Sequence, residues 1–170
     1  MARVEELPAA GGERRWTLHL PPLEARLVTN LPDQLARLLA NPGENRRVVD
    51  RLFPASYADP REEAEHRRLL GESLLDARRE TLAAVRGQLA GAARDKQGLH
   101  LPLGEATADT WLRFLNDVRL VIATDLDVKQ NLSDLQLPPG HPDAPRYTLL
   151  VYLGGLESVL LDAVTGQPGL

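Results

Sequence analysis

The 170-residue sequence contains no cysteine. That absence removes disulfides, thiolate nucleophiles, thiol redox switches and cysteine-ligated zinc from its possible chemistry. Aromatic residues make up only 4% of the chain, so leucine, valine and alanine must build the core. Lysine is scarce as well: Lys96 and Lys129 are the only two, and arginine carries nearly all the positive charge. The formal net charge of −4 gives the whole chain no pull towards nucleic acid or an anionic membrane. No apolar run approaches the roughly 20 residues of a membrane span. The opening "MARVEELPAAGGERRW" has no apolar signal core. These features lead to the expectation of a cytoplasmic protein with no membrane partner.

Motifs of nucleophilic and nucleotide chemistry are also missing. None of Ser56, Ser73, Ser133 and Ser158 lies in G-x-S-x-G, and there is neither a P-loop nor a G-x-G-x-x-G. On these grounds no catalytic residue and no cofactor is assigned.

What the chain does contain is a succession of apolar periods. Residues 1–13 are a Gly-, Ala- and Pro-containing stretch, expected as a mobile lead-in. "RRWTLHLPP" then alternates, with Trp16, Leu18 and Leu20 on one side, and predicts a short strand. Leu23, Leu27, Leu31, Leu35 and Leu38 predict a helix broken or kinked near Pro32. Val48, Val49, Leu52 and Phe53 predict a short helix stopped by Pro54. Asp59, Pro60 and Glu62 have the spacing of a helix cap, a first-turn proline and a capping-box acid. The helix they open is expected to reach about Arg94, burying a stripe of Leu70, Leu74, Ala77, Thr81, Val85 and Leu89. "KQGLHLPLGE" repeats the LHLP of the first strand and predicts a second. Its direction of pairing is not readable. Thr107 is the expected cap of a core helix through Trp111, Leu115, Val118 and Ile122, and Pro145 opens the last helix. The expected fold is mainly α: a single-domain helical bundle over residues 14–170 with a minor two-stranded β element and a long loop at 127–145.

Candidate chemistry is thin. Glu62, Glu65 and His66 are the weak candidates for a metal or acid–base site, but their spacing is not that of H-E-x-x-H. First-turn acids also complement the helix dipole and pair with arginines three or four residues on, which explains them without a site. Asp125, Asp127 and Asp134 lack the EF-hand pattern. His19 and His100 occupy matching strand positions, yet two histidines do not complete a zinc site unless a third ligand, such as His141, folds over. Asn116, Asp117 and Arg119 interrupt the most apolar helix and are expected to form a polar network, with Asp117 meeting Arg51 or Arg68. Arginine pairs at 46–47, 67–68 and 78–79 raise DNA binding, but acids interleave throughout and no recognition helix is evident.

Two stretches carry a resemblance. "RLFPASYADPREEAEHRRL" supplies Arg51, Leu52, Phe53, Pro54, Tyr57, Asp59, Glu65, Arg67, Arg68 and Leu69. "WLRFLNDVRL" supplies Trp111, Leu112, Leu115, Asn116, Asp117, Arg119 and Leu120. Together with the closing "YLGGLESVLL", they resemble an actinobacterial-type bacterial family known as domain of unknown function two-thousand-and-seventeen. That resemblance implies no established activity. It implies frequent encoding near the adaptor of the Clp protease, and some members are described as transcriptional regulators. The function expected is a non-enzymatic regulatory or protein-interaction module with a protein partner, including a second copy held through an apolar helix face. The alternatives are a DNA-binding transcriptional regulator and a metal-dependent enzyme. Arg51, Tyr57 and Arg68 are the residues of the first stretch that helix-start chemistry leaves unexplained.

Overall fold

The computed structural model describes residues 1–128, 137–138 and 140–166. In chain order the elements are β1 (Arg3–Ala10), β2 (Glu13–Leu20), α1 (Pro22–Ala40), α2 (Arg46–Leu52), α3 (Pro60–Gly91), β3 (Ala93–Asp95), β4 (Gly98–Gly104), α4 (Glu105–Asp125) and α5 (Ala144–Thr165). The expected helical bundle with a minor two-stranded element is therefore corrected. The described residues form five helices and a four-stranded antiparallel sheet of order β1-β2-β4-β3, a mixed α/β fold.

The two alternating stretches are the central strands, β2 and β4. Trp16, Leu18, Leu20, Leu99, Leu101 and Leu103 line one face of the sheet and are fully buried beneath the helices. The echo of LHLP becomes a mirrored pairing, with Leu18 opposite Leu101 and His19 opposite His100. Each central strand gains an outer partner through a hairpin. The segment expected as a lead-in contains β1, which turns into β2 at Gly11 and Gly12. Both glycines have positive φ, +63° and +83°, as a two-residue turn with the twist of a hairpin requires. On the other side, Asp95 pairs with Gly98 across a two-residue turn. Gly98 has φ +129°, and a Cβ there would stand 1.9 Å from the Leu20 carbonyl oxygen, so only glycine fits.

The helices close one layer over this face. α1 runs through Pro32 without the expected interruption and buries Ala25, Val28, Leu31, Pro32, Leu35 and Leu39. α4 supplies Trp111, Phe114, Leu115 and Val118 to the core. Its cap is Gly104, not Thr107. The Thr107 hydroxyl reaches back instead, accepting from the Gly104 N–H and donating to the Gly104 carbonyl. α5 is long and apolar enough to cross a membrane by length and composition, contrary to the expectation that no such run exists. Here Leu150, Leu153, Leu156 and Leu160 of α5 are buried against the rest of the fold. Arg14 of β2 binds its last turn, donating to the Ala163 and Val164 carbonyls where the helix dipole is negative.

Candidate functional site: an arginine-lined groove

α3 has 32 residues and is about 48 Å long. Its buried residues are Leu82, Val85 and Leu89, all in its last three turns. The stripe expected to be buried from Leu70 onwards therefore leaves the protein half-way along. Leu69, Leu70 and Leu74 are 62%, 45% and 38% exposed. The helix starts as its sequence implies: Asp59 Oδ1 accepts from the Arg61 N–H at 2.7 Å, and Pro60 occupies the first turn. The acid that reaches back is Glu63, not Glu62. Its carboxylate accepts from the Ser56 and Tyr57 N–H groups at 2.8 and 3.0 Å. Arg67 completes a clasp by binding Glu63 at 2.8 Å, the Phe53 carbonyl at 2.9 Å and Asp50 at 3.2 Å. The N–H of Tyr57 foremost, then Arg67 and Ser56, hold the Glu63 carboxyl below the usual carboxylate range. Glu63 and Arg67 thus fix the turn after α2 against the exposed half of α3.

Between that turn, α2 and α3 lies a groove of about 740 Å³. Val49, Leu52, Phe53, Leu74 and Leu75 give it an apolar floor. Arg67, Arg68, Arg78 and Arg113 line it with two acids, Glu63 and Glu72, and each arginine already holds a carboxylate: Glu63 and Asp50, Glu65, Asp117 and Asp109 in turn. Arg78 sits over the Phe53 ring, 5.5 Å from its centroid. Beneath it Arg78 meets Asp117 of α4 at 3.2 Å, and Asp117 is only 2% exposed. Asp117 Oδ1 and Arg78 Nε are both buried without a hydrogen-bond partner. Burial pushes the Asp117 carboxyl up to about 6, against the opposing pull of Arg78. The pair is thus satisfied at one oxygen only, an uncommon state for buried charge.

Of the residues singled out in the sequence, the groove takes in Phe53 and Arg68, with Asp117 beneath Arg78, and most of the others lie elsewhere. Asp117 meets Arg78 rather than Arg51 or Arg68. Arg51 is exposed beside α4 in a shallow cavity with Thr124 and Asp127. Arg68 binds Glu65 on the surface at 2.6 Å. Tyr57 is half exposed and lies edge-on to His66, with ring centroids 5.3 Å apart. Arg119 binds Glu157 of α5 beside Gly154, and Asn116 is exposed. Trp111 is buried with its indole N–H on Gln88. Glu62, Glu65 and His66 do not converge, and among the described residues no three ligating side chains form a metal cluster. Asp127 binds Arg47 at 3.2 Å, and Asp134 lies outside the described residues. Sequence reasoning did not place Arg78 or Glu63 in a site, although the Glu63–Arg67 pair, four residues apart on one helix face, was expected and is present.

A family model described as Domain of unknown function (DUF2017) matches residues 4–164. No curated protein and no solved structure matches the chain.

Proposed function

Because the chain belongs to the DUF2017 family, whose role is open, we propose from the groove that it is a regulatory protein-interaction module. The groove receives an acidic segment of a partner protein anchored by apolar side chains. The observation that carries this reading is the uncovered first half of α3. No residue of its first five turns is buried, and exposed Leu74, with Leu75 beside it, turns an apolar edge into the groove against Val49, Leu52 and Phe53, the surface of a helix-in-groove interface. Charge selects the occupant. Four arginines line the groove, and the Arg78 guanidinium stands over Phe53, so that a partner carboxylate reaching it gains a charge-assisted hydrogen bond.

The test uses a synthetic amphipathic peptide with leucine anchors and flanking glutamates, labelled for fluorescence anisotropy. Against it stand a charge-reversed peptide of the same pattern and a short DNA duplex. The acidic peptide is expected to bind at least tenfold more tightly than the reversed one, to weaken with salt, and to be lost in Leu74→Asp. Equal affinity for the two peptides, or preference for the duplex, contradicts the proposal.

A further inference from the structure

The outer face of the sheet carries a second polar arrangement, separate from the groove. His19 of β2 and His100 of β4 stand directly opposite each other. Leu18, Leu20, Leu99 and Leu101 take the core face, so both imidazoles leave the sheet on the other side. Their Nδ1 atoms approach to 2.7 Å. Each outer nitrogen meets a carboxylate: His19 Nε2 lies 3.2 Å from Glu5 of β1, and His100 Nε2 lies 2.9 Å from Asp95 of β3. Glu5, His19, His100 and Asp95 thereby form one line of contacts across all four strands. Asp95 is itself fixed by the Gln97 and Gly98 N–H groups. The two imidazoles, 18% and 21% exposed, line a cavity of about 210 Å³ together with Met1, whose ammonium is paired with Glu24, and with Arg3, Pro21 and Gln97.

We propose that His19 and His100 form a two-histidine site for a late first-row divalent metal ion of the zinc, nickel or copper class, bound through the two Nδ1 atoms. A carboxylate can only accept, so each Nε2 that meets one must donate. In a neutral ring that places the lone pair on Nδ1, the atom facing the gap. Histidines that ligate metals are oriented in this way by an outer acceptor. Neutral imidazole suits this class of ion, and Glu5 and Asp95 supply two negative charges to balance it. The spacing needs little change. Two nitrogens at about 2.0–2.1 Å from a tetrahedral ion stand roughly 3.3 Å apart, so the rings open by about 0.6 Å. That is a side-chain rotation, and with both Nε2 atoms donating to carboxylates the 2.7 Å contact holds one further proton between the two Nδ1 atoms; the ion displaces that proton to solvent, which leaves both rings neutral with their Nδ1 lone pairs on the metal. His141, the third histidine considered for this face, sits beside Asp143 at the start of α5 and does not line the cavity. With two protein ligands, the remaining positions hold water. The site is exchangeable, unlike a closed structural zinc site.

The test is calorimetric titration of the full chain, freed of metal by chelator, with Zn²⁺ alone and then with Cu²⁺. One ion per chain is expected for the wild type. His19→Ala and His100→Ala are expected to abolish that binding, His141→Ala to leave it unchanged, and Asp95→Asn to weaken it on the order of tenfold. Imidazole ¹⁵N spectra of the wild type give a readout that does not depend on the variants folding. Zn²⁺ is expected to shift the His19 and His100 Nδ1 resonances and not those of His66. Absence of saturable binding, binding that survives in the double variant His19→Ala/His100→Ala, or shifts confined to His66 or His141 overturns the proposal.

Discussion

The two halves of α3 share one helix and one charged composition but differ in what they meet. The second half turns Leu82, Val85 and Leu89 into the core, all at most 5% exposed. The first half turns Leu69, Leu70 and Leu74 to solvent and is tied down mainly by polar contacts, those of Glu63 and Arg67. Hydrophobic period alone does not distinguish the halves, because the apolar stripe continues through both. The neighbours decide: α1 and α4 pack on α3, and the residues of α3 that become buried are all in its second half. The lesson is that the second half holds the fold, while the first is held out from it and rimmed with arginine.

The largest effect expected of this comparison lies in the core half. Leu89→Ala should lower the urea-unfolding free energy by about 2–5 kcal/mol, the usual range for truncating a buried leucine. A loss below 0.5 kcal/mol would mean that the end of α3 is not in the core.

Next comes Asp117, which sits where the groove meets the core. Its carboxyl, pushed up to about 6, holds its proton more tightly in the folded state than in the unfolded chain. The stability it contributes is therefore full below about pH 4 and lost as pH rises through 6. Relative to Asp117→Asn, the wild type should lose roughly 3 kcal/mol between pH 4 and pH 7. Paired urea titrations across that range check it, and a flat difference would place Asp117 in a solvated setting. Glu63 has the opposite sign. Its carboxyl lies below the ordinary range, so its contribution is present at neutral pH and lost as pH falls.

A smaller effect attends the clasp. Arg67→Ala should cost about 1 kcal/mol, since the guanidinium is partly exposed and its ion pairs are screened. Amide exchange at Ser56 and Tyr57 should rise with it. Smallest of all are Leu70→Ala and Leu74→Ala, which should change stability by less than about 0.5 kcal/mol. In Leu74→Ala, which trims the groove wall, binding of the acidic peptide should fall. A large stability loss here would show that the first half of α3 is packed after all.

The central strands were legible because Trp16, Leu18 and Leu20, and Leu99, Leu101 and Leu103, alternate without exception. The outer strands were not. β1 has only Val4 and Leu7 partly buried amid charges and Pro8, and β3 is three exposed residues. Edge strands of this kind are defined by their partner's free backbone groups, which leave no period in sequence. The start of α3 was legible in Asp59 and Pro60. The reach of its core stripe was not, since burial at Leu70 depends on whether another element lies opposite. Asp117 stood out as a polar residue on an apolar helix, but its partner was Arg78, a long-range choice that spacing does not encode. The two histidines were legible as matching strand positions, but their antiparallel register and the flanking carboxylates, which come from the two unrevealed strands, were not.

Hydrogen exchange along α3 tests the central claim most directly. In the free protein the amides of residues 64–77 should exchange much faster than those of residues 82–91, and the acidic peptide should slow the first set while leaving the second unchanged. Equal protection of both halves in the free protein, or protection by the peptide that appears only outside the first half and its groove, would contradict the account.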